Sequence, residues 1–172
     1  ISFTDEDCSY LKGQGYSDDF VQFLKAFRFE GDVWAVRDGT PVFPGEPFMR
    51  VTAALPQAQL IETTLLNIVN FQTMVASKTS RIVNAASPSS VVDFGLRRSH
   101  EESAGNTGAR AAYIAGAAST SNVKAGKLYG IPVSGTHAHS FVMSFEEEID
   151  AFRAYAATFP DNAILLIDTY DT

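Results

Sequence analysis

Apolar residues return at every third or fourth position after Ser17. Phe20, Phe23, Leu24 and Phe27 share one helical face, Asp18 and Asp19 sit in the first turn, and Ser17 is placed to cap it. The period then shortens to that of strands. Asp32-Val33-Trp34-Ala35-Val36-Arg37 and Thr40-Pro41-Val42-Phe43 read as a hairpin around Asp38-Gly39, and Phe48-Met49-Arg50-Val51-Thr52 reads as a third strand. These elements predict a small α+β unit. From Pro56 the helical period resumes and runs from Gln57 to about Ala86, with a break expected near Asn67 or Asn70. Ile61, Leu65 and Ile68 mark one face of it, and Phe71, Val75, Lys78 and Ile82 continue the pattern. Ser87-Pro88 closes the helix, because proline disfavours helix in the residue before it.

The remainder alternates short apolar runs with helical stretches. Val91-Val92-Asp93-Phe94 reads as a strand, and Asn106 or Thr107 as the cap of a helix from Gly108 to Gly116. Asn122 reads as the cap of a helix from Val123 to Tyr129 that Gly130 ends, and Ile131-Pro132-Val133-Ser134 as the next strand. Ser144 and Glu147 have capping-box spacing before a helix to Ala157, and Ala163 to Asp168 reads as an apolar strand ending on a carboxylate. Such βα alternation belongs to a doubly wound sheet or a barrel. The chain divides into residues 1–86 and 87–172.

Composition narrows the function classes. A net charge of -7 and a pI near 4.8 argue against nucleic-acid or anionic-membrane partners, so any anion site must be local, as at Arg97-Arg98. Cys8 is the single cysteine, which excludes an intramolecular disulfide and fits a reducing, cytoplasmic compartment. No apolar run has membrane-spanning length, and the sequence begins with neither a signal-peptide pattern nor Met, so it reads as an internal fragment.

Three predicted strand ends carry polar chemistry. Asp93 to His100 presents, on a glycine bend, two guanidinium groups suited to phosphate oxygens. Ser134-Gly135-Thr136-His137-Ala138-His139-Ser140 holds two of the three histidines, and Asp168-Thr169-Tyr170-Asp171 supplies carboxylates of the kind that orient an imidazole. Taken by itself, His-x-His fits zinc ligation, metal-free catalysis or a structural pair comparably well.

Five segments in order resemble the nicotinate phosphoribosyltransferase family: Phe94-Gly95-Leu96-Arg97-Arg98, Ser119 to Lys127, Gly130 to Thr136, Ala138-His139-Ser140-Phe141 and Ile167 to Thr172. The likeness continues upstream through Phe27 to Val33, Phe43-Pro44-Gly45-Glu46-Pro47 and Glu62 to Asn67. The resemblance implies an α/β fold of the type II phosphoribosyltransferases, an N-terminal α/β sandwich followed by part of an irregular α/β barrel. It also implies transfer of phosphoribose from phosphoribosyl pyrophosphate to nicotinate in NAD salvage, with Mg²⁺ as cofactor, ATP as co-substrate and a homodimer as the working state. Carried onto this sequence, it makes His139 the phosphorylated histidine with Asp168 as its partner, and Arg97 the phosphate-binding arginine assisted by Arg98. Thr136, Ser121, Asn122 and Ser140 become substrate contacts. Asn122 takes the place of an aspartate in nicotinamide-using relatives, which favours the acid over the amide. His137 lies outside the matched pattern and is expected to be a tolerated neighbour. The family's ring-stacking tyrosine segment and its later barrel strands lie outside these 172 residues. Three other readings stand beside this one: a nicotinamide-using transferase, a metal-dependent barrel hydrolase using His137 and His139, and an inactive fragment.

Overall fold

In a computed structural model describing residues 1–171, Thr4 opens the first helix, which periodicity did not mark. Its hydroxyl accepts from the Asp7 amide, and the Asp7 carboxylate accepts from the Thr4 amide at 2.7 Å. This reciprocal cap starts α1 (Asp5–Gly13). Ser17 caps α2 (Asp18–Lys25), as its position predicts. Two ion pairs join the helices, Lys12 to Asp18 and Lys25 to Asp5, each at 2.7 Å. Val21, Leu24 and Phe27 are buried with Cys8, whereas Phe20 and Phe23 remain partly exposed. Leu24 and Phe27 are thus buried as expected, and Val21 takes the place of Phe20 and Phe23.

The hairpin forms differently from expectation. The Asp38-Gly39 turn exists, with the Thr40 amide bonded to the Arg37 carbonyl at 3.1 Å and Gly39 at φ 83°. Thr40 to Phe43, however, is not a strand. Pro41 has no N–H for a ladder, and a second turn follows at once, with the Phe43 amide on the Glu46 carboxylate and Gly45 at φ 87°. The strand β1 (Asp32–Ala35) pairs instead with the predicted third strand, β2 (Met49–Thr52), antiparallel from Asp32 opposite Thr52 to Ala35 opposite Met49.

Helix α3 (Leu55–Ala86) is continuous through Asn67 and Asn70, where a break was expected; both are good enough helix residues once the flanking turns are formed. The chain's two compact units, residues 1–71 and 72–172, divide within this helix. Ile61 is its buried position in the first unit.

In the second unit, β3 (Val92–Asp93) pairs in parallel with β4 (Ser119–Thr120), and Thr120 bridges in parallel to Val133. Strands β3 and β4 are linked by α4 (Glu101–Ile114), and α5 (Val123–Tyr129) leads from β4 to Val133. Three consecutive parallel segments with helical crossovers are the βα alternation that the sequence implies. Two helix starts need correction. Helix α4 begins at Glu101 rather than after Asn106 or Thr107, and Asn106 is buried in its interior because its side chain meets Asn122. Ser144 donates to the Phe141 carbonyl at 2.6 Å, closing α6 (His139–Val142), so it forms no capping box with Glu147; α7 (Glu148–Thr158) starts at Glu148.

The apolar run Ala163 to Asp168 is not a strand among the described residues. Among the described residues no strand pairs with it, and Ile164, Leu165 and Ile167 are exposed. Ile131–Ser134 is similarly reduced to the single bridge at Val133.

Candidate active site at the strand ends

Beyond β3 and β4 lies a network of short polar side chains. Asp93 accepts from the Gly95 amide at 2.9 Å through one carboxylate oxygen and from the Thr120 hydroxyl at 2.8 Å through the other. The Thr120 oxygen in turn accepts from the Asn122 amide at 3.0 Å. Asn122 is buried; its Oδ1 accepts from the Ala125 amide at 3.1 Å, which caps α5, and its Nδ2 donates to Asn106 Oδ1 at 3.0 Å. Every buried polar group here has a partner, so the turns after both strands are fixed. Sequence reasoning found the cap, and placed Asp93 at a polar strand end, but missed the bonds that join Asp93, Thr120, Asn122 and Asn106. The Asp-x-Gly spacing at Asp93 was a usable signal, since a carboxylate commonly accepts from the amide two residues on.

Helix α5 is seated on the following segment. A Cβ at Gly126 would collide with Val133 Cγ2 and lie 3.1 Å from the Ile131 carbonyl oxygen. At the other end Gly130 takes φ 68°, the left-handed conformation that stops the helix. Lys124 pairs with Glu102 and holds that carboxyl below its usual range, tying α5 to α4.

Arg97 and Arg98 lie in a single 3-10 turn, Leu96–Arg98, directly after the Asp93-Gly95 turn. Both are exposed, and no carboxylate among the described residues neutralises them. Gly105 keeps α4 close beneath, because a Cβ there would meet Leu96. Ser121 and Thr136 are half-buried, and the Thr136 hydroxyl donates to the His137 carbonyl at 2.9 Å. Ser140 is exposed.

The two histidines have opposite surroundings. His139 opens α6 with about half its side chain exposed; Asp168 Oδ1 lies 3.9 Å from Nε2, and Thr169 Oγ1 lies 3.4 Å from Nδ1. The carboxylate is too distant for a hydrogen bond. His137 is buried among Phe141, Phe152 and Tyr155, with ring centroids 4.8 to 5.7 Å away. Its Nε2 accepts from the Leu166 amide at 3.2 Å. Zinc ligation by the pair would require that nitrogen or its unpartnered, buried Nδ1 to turn out of the aromatic cluster. Among the described residues no three histidine, cysteine or acidic side chains converge as a metal site. Thr169 is the contact the sequence reading left out.

The arrangement is thus an exposed imidazole flanked by a carboxylate and a hydroxyl, with two free guanidinium groups at another strand end of the same unit. Residues 1–70 match the model of the nicotinate phosphoribosyltransferase N-terminal domain, and residues 89–171 match that of the nicotinate phosphoribosyltransferase family. The chain belongs to the nicotinate phosphoribosyltransferase family. Within it, the chain is 49% identical over 171 residues to a nicotinate phosphoribosyltransferase of Mycobacterium tuberculosis, covering 99% of this chain and 37% of that protein. It is 50% identical over 173 residues to the nicotinate phosphoribosyltransferase of Bacillus subtilis, covering all of this chain and 35% of the relative. The crystal structure of human nicotinic acid phosphoribosyltransferase superposes with a TM-score of 0.87 at 30% identity, over 98% of this chain and 44% of that one. The nicotinate-nucleotide pyrophosphorylase of Pyrococcus furiosus superposes with a TM-score of 0.77 at 25% identity, over 83% and 37%. The chain therefore spans little more than a third of the length of its curated nicotinate phosphoribosyltransferase relatives. Among the described residues no helix is long and apolar enough to cross a membrane.

Proposed function

We propose that this chain carries part of the active site of a nicotinate phosphoribosyltransferase, which joins nicotinate to phosphoribosyl pyrophosphate, releases pyrophosphate and forms nicotinate mononucleotide in NAD salvage. The observation that carries the reading is His139, exposed between Asp168 and Thr169 within the segment that matches the family. In this reading His139 attacks the γ-phosphorus of ATP with a ring-nitrogen lone pair, and the bond to the ADP oxygen breaks. Asp168 stabilises the positive ring that results.

Departure of pyrophosphate leaves oxocarbenium character on the ribose, and Arg97, helped by Arg98, offsets the charge gathering on the phosphate oxygens. That no carboxylate among the described residues pairs with them supports that role. Asp168, the exposed carboxylate beside His139, would be the residue to help hold Mg²⁺. When bound, it supplies charge neutralisation to the leaving group. Thr136, Ser121 and Ser140 line the nicotinate side. Asn122 favours the acid by presenting no second carboxylate, and its committed Oδ1 and Nδ2 make that influence one of neutral charge and position.

The parallel βα units are read as the first part of an irregular barrel, and the α1, α2 and β1–β2 unit as part of an α/β sandwich. The working enzyme is read as a cytoplasmic homodimer. The full-length protein, given nicotinate, phosphoribosyl pyrophosphate and Mg²⁺ with and without ATP, is expected to form nicotinate mononucleotide faster with ATP and to leave nicotinamide largely unused. Turnover of nicotinamide in preference to nicotinate, or of neither, would overturn the reading.

A further inference from the structure

His137 is a buried polar group to which the reaction gives no task. It is only 8% exposed and lies among three aromatic rings, an expensive place for an imidazole unless it does something a phenyl ring could not. What it does is accept: Nε2 takes the Leu166 N–H at 3.2 Å. That bond assigns the ring as neutral with its proton on Nδ1. Leu166 lies two residues before Asp168 and three before Thr169, the pair that flanks His139. No strand ladder holds this segment among the described residues. The two stretches run in the same direction, His137 beside Leu166 and His139 beside Asp168 and Thr169, joined by side chains where a parallel sheet would use backbone.

We propose that His137 is a positioning residue that anchors the Leu166 backbone, so that Asp168 and Thr169 are held against the two nitrogens of His139. The structural part stands on the geometry alone, and its catalytic consequence rests on the reading of His139 as the phosphoryl acceptor. His137→Phe keeps an aromatic ring in the cluster and removes the acceptor. His137→Gln places an amide oxygen at the reach of Nε2, whereas the shorter His137→Asn does not.

In the full-length protein the test reads three quantities: hydrogen exchange across residues 163–171, the rate of ATP-dependent acid-labile labelling of His139, and KM for nicotinate and phosphoribosyl pyrophosphate. In His137→Phe, exchange at Leu166 should rise about tenfold, as expected for loss of one hydrogen bond, and labelling should slow by a similar factor with both KM values little changed. His137→Gln should restore exchange and labelling together. If the Phe variant does not fold, His137→Asn takes its place against His137→Gln. Unchanged exchange at Leu166, or a Gln variant no better than Phe or Asn, would overturn the proposal. Absence of labelling in the wild-type enzyme would instead remove the phosphohistidine reading, and the exchange comparison would still decide the positioning role.

Discussion

Asn122 is committed on all sides: its amide to Thr120, its Oδ1 to Ala125 and its Nδ2 to Asn106. Asn122→Ala removes a helix cap, worth about 1 kcal/mol, and leaves the buried Asn106 oxygen unpaired at a further cost of roughly 1–3 kcal/mol. Denaturant unfolding should register a loss of about 2–4 kcal/mol. Asn122→Asp keeps the cap and buries a charge, so it should also destabilise, and in the full-length enzyme it should reduce the preference for nicotinate over nicotinamide. Unchanged selectivity would leave Asn122 as a cap alone. At Arg97 the expected signature differs. Arg97→Ala should raise KM for phosphoribosyl pyrophosphate more than KM for nicotinate, because a phosphate ligand need not touch the ring; steady-state kinetics with each substrate varied in turn would check this. His139→Ala should abolish acid-labile labelling by ATP.

Among the elements, α1 and α2 carry the clearest pH dependence. The hydrogen bonds from Thr4 hold the Asp7 carboxyl below its usual range, and Lys12 does the same for Asp18. A carboxyl depressed in the folded state stabilises above its unfolded pKa, and that contribution disappears as pH falls through the folded value. The helix pair should therefore weaken on acidification below the ordinary carboxylate range. Lys25, raised by Asp5, has the opposite sign and loses its contribution at high pH. Thr4→Val should return the Asp7 titration, followed by NMR, toward normal. In α5, Gly126→Ala should push the helix off Val133, while Gly130 has open space around it and resists L-alanine through its backbone angle alone. The elements legible from sequence were those whose signals are local: the Ser17 cap, the Asn122 cap and the Gly130 stop. Those that misled depend on distant partners. Thr40–Phe43 had strand composition but a better-placed competitor in β2, Asn106 looked like a cap until Asn122 reached it, and Ala163–Asp168 had apolar content without a neighbouring strand. At the site, the sequence offered Asp168 as the group that fixes a nitrogen of His139, whereas it lies 3.9 Å away and Thr169 lies 3.4 Å from the other nitrogen. Leu166 on His137 could not be foreseen, because a backbone donor leaves no mark in the sequence.

For the molecule as a whole, the make-up of the core is the controlling quantity. Among the described residues the largest fully buried side chains are Val21, Val142 and Thr120, and many of the other core residues are alanines. Catalysis needs groups held to fractions of an ångström, so these 172 residues by themselves are expected to form no nicotinate mononucleotide. Turnover near that of the full-length enzyme would refute this. A core made of alanines has a further consequence, since enlargement rather than truncation is the change it tolerates worst. Ala125→Val or Ala151→Val, at two fully buried positions, should each cost about 1–3 kcal/mol by overpacking, read by denaturant unfolding of the full-length protein.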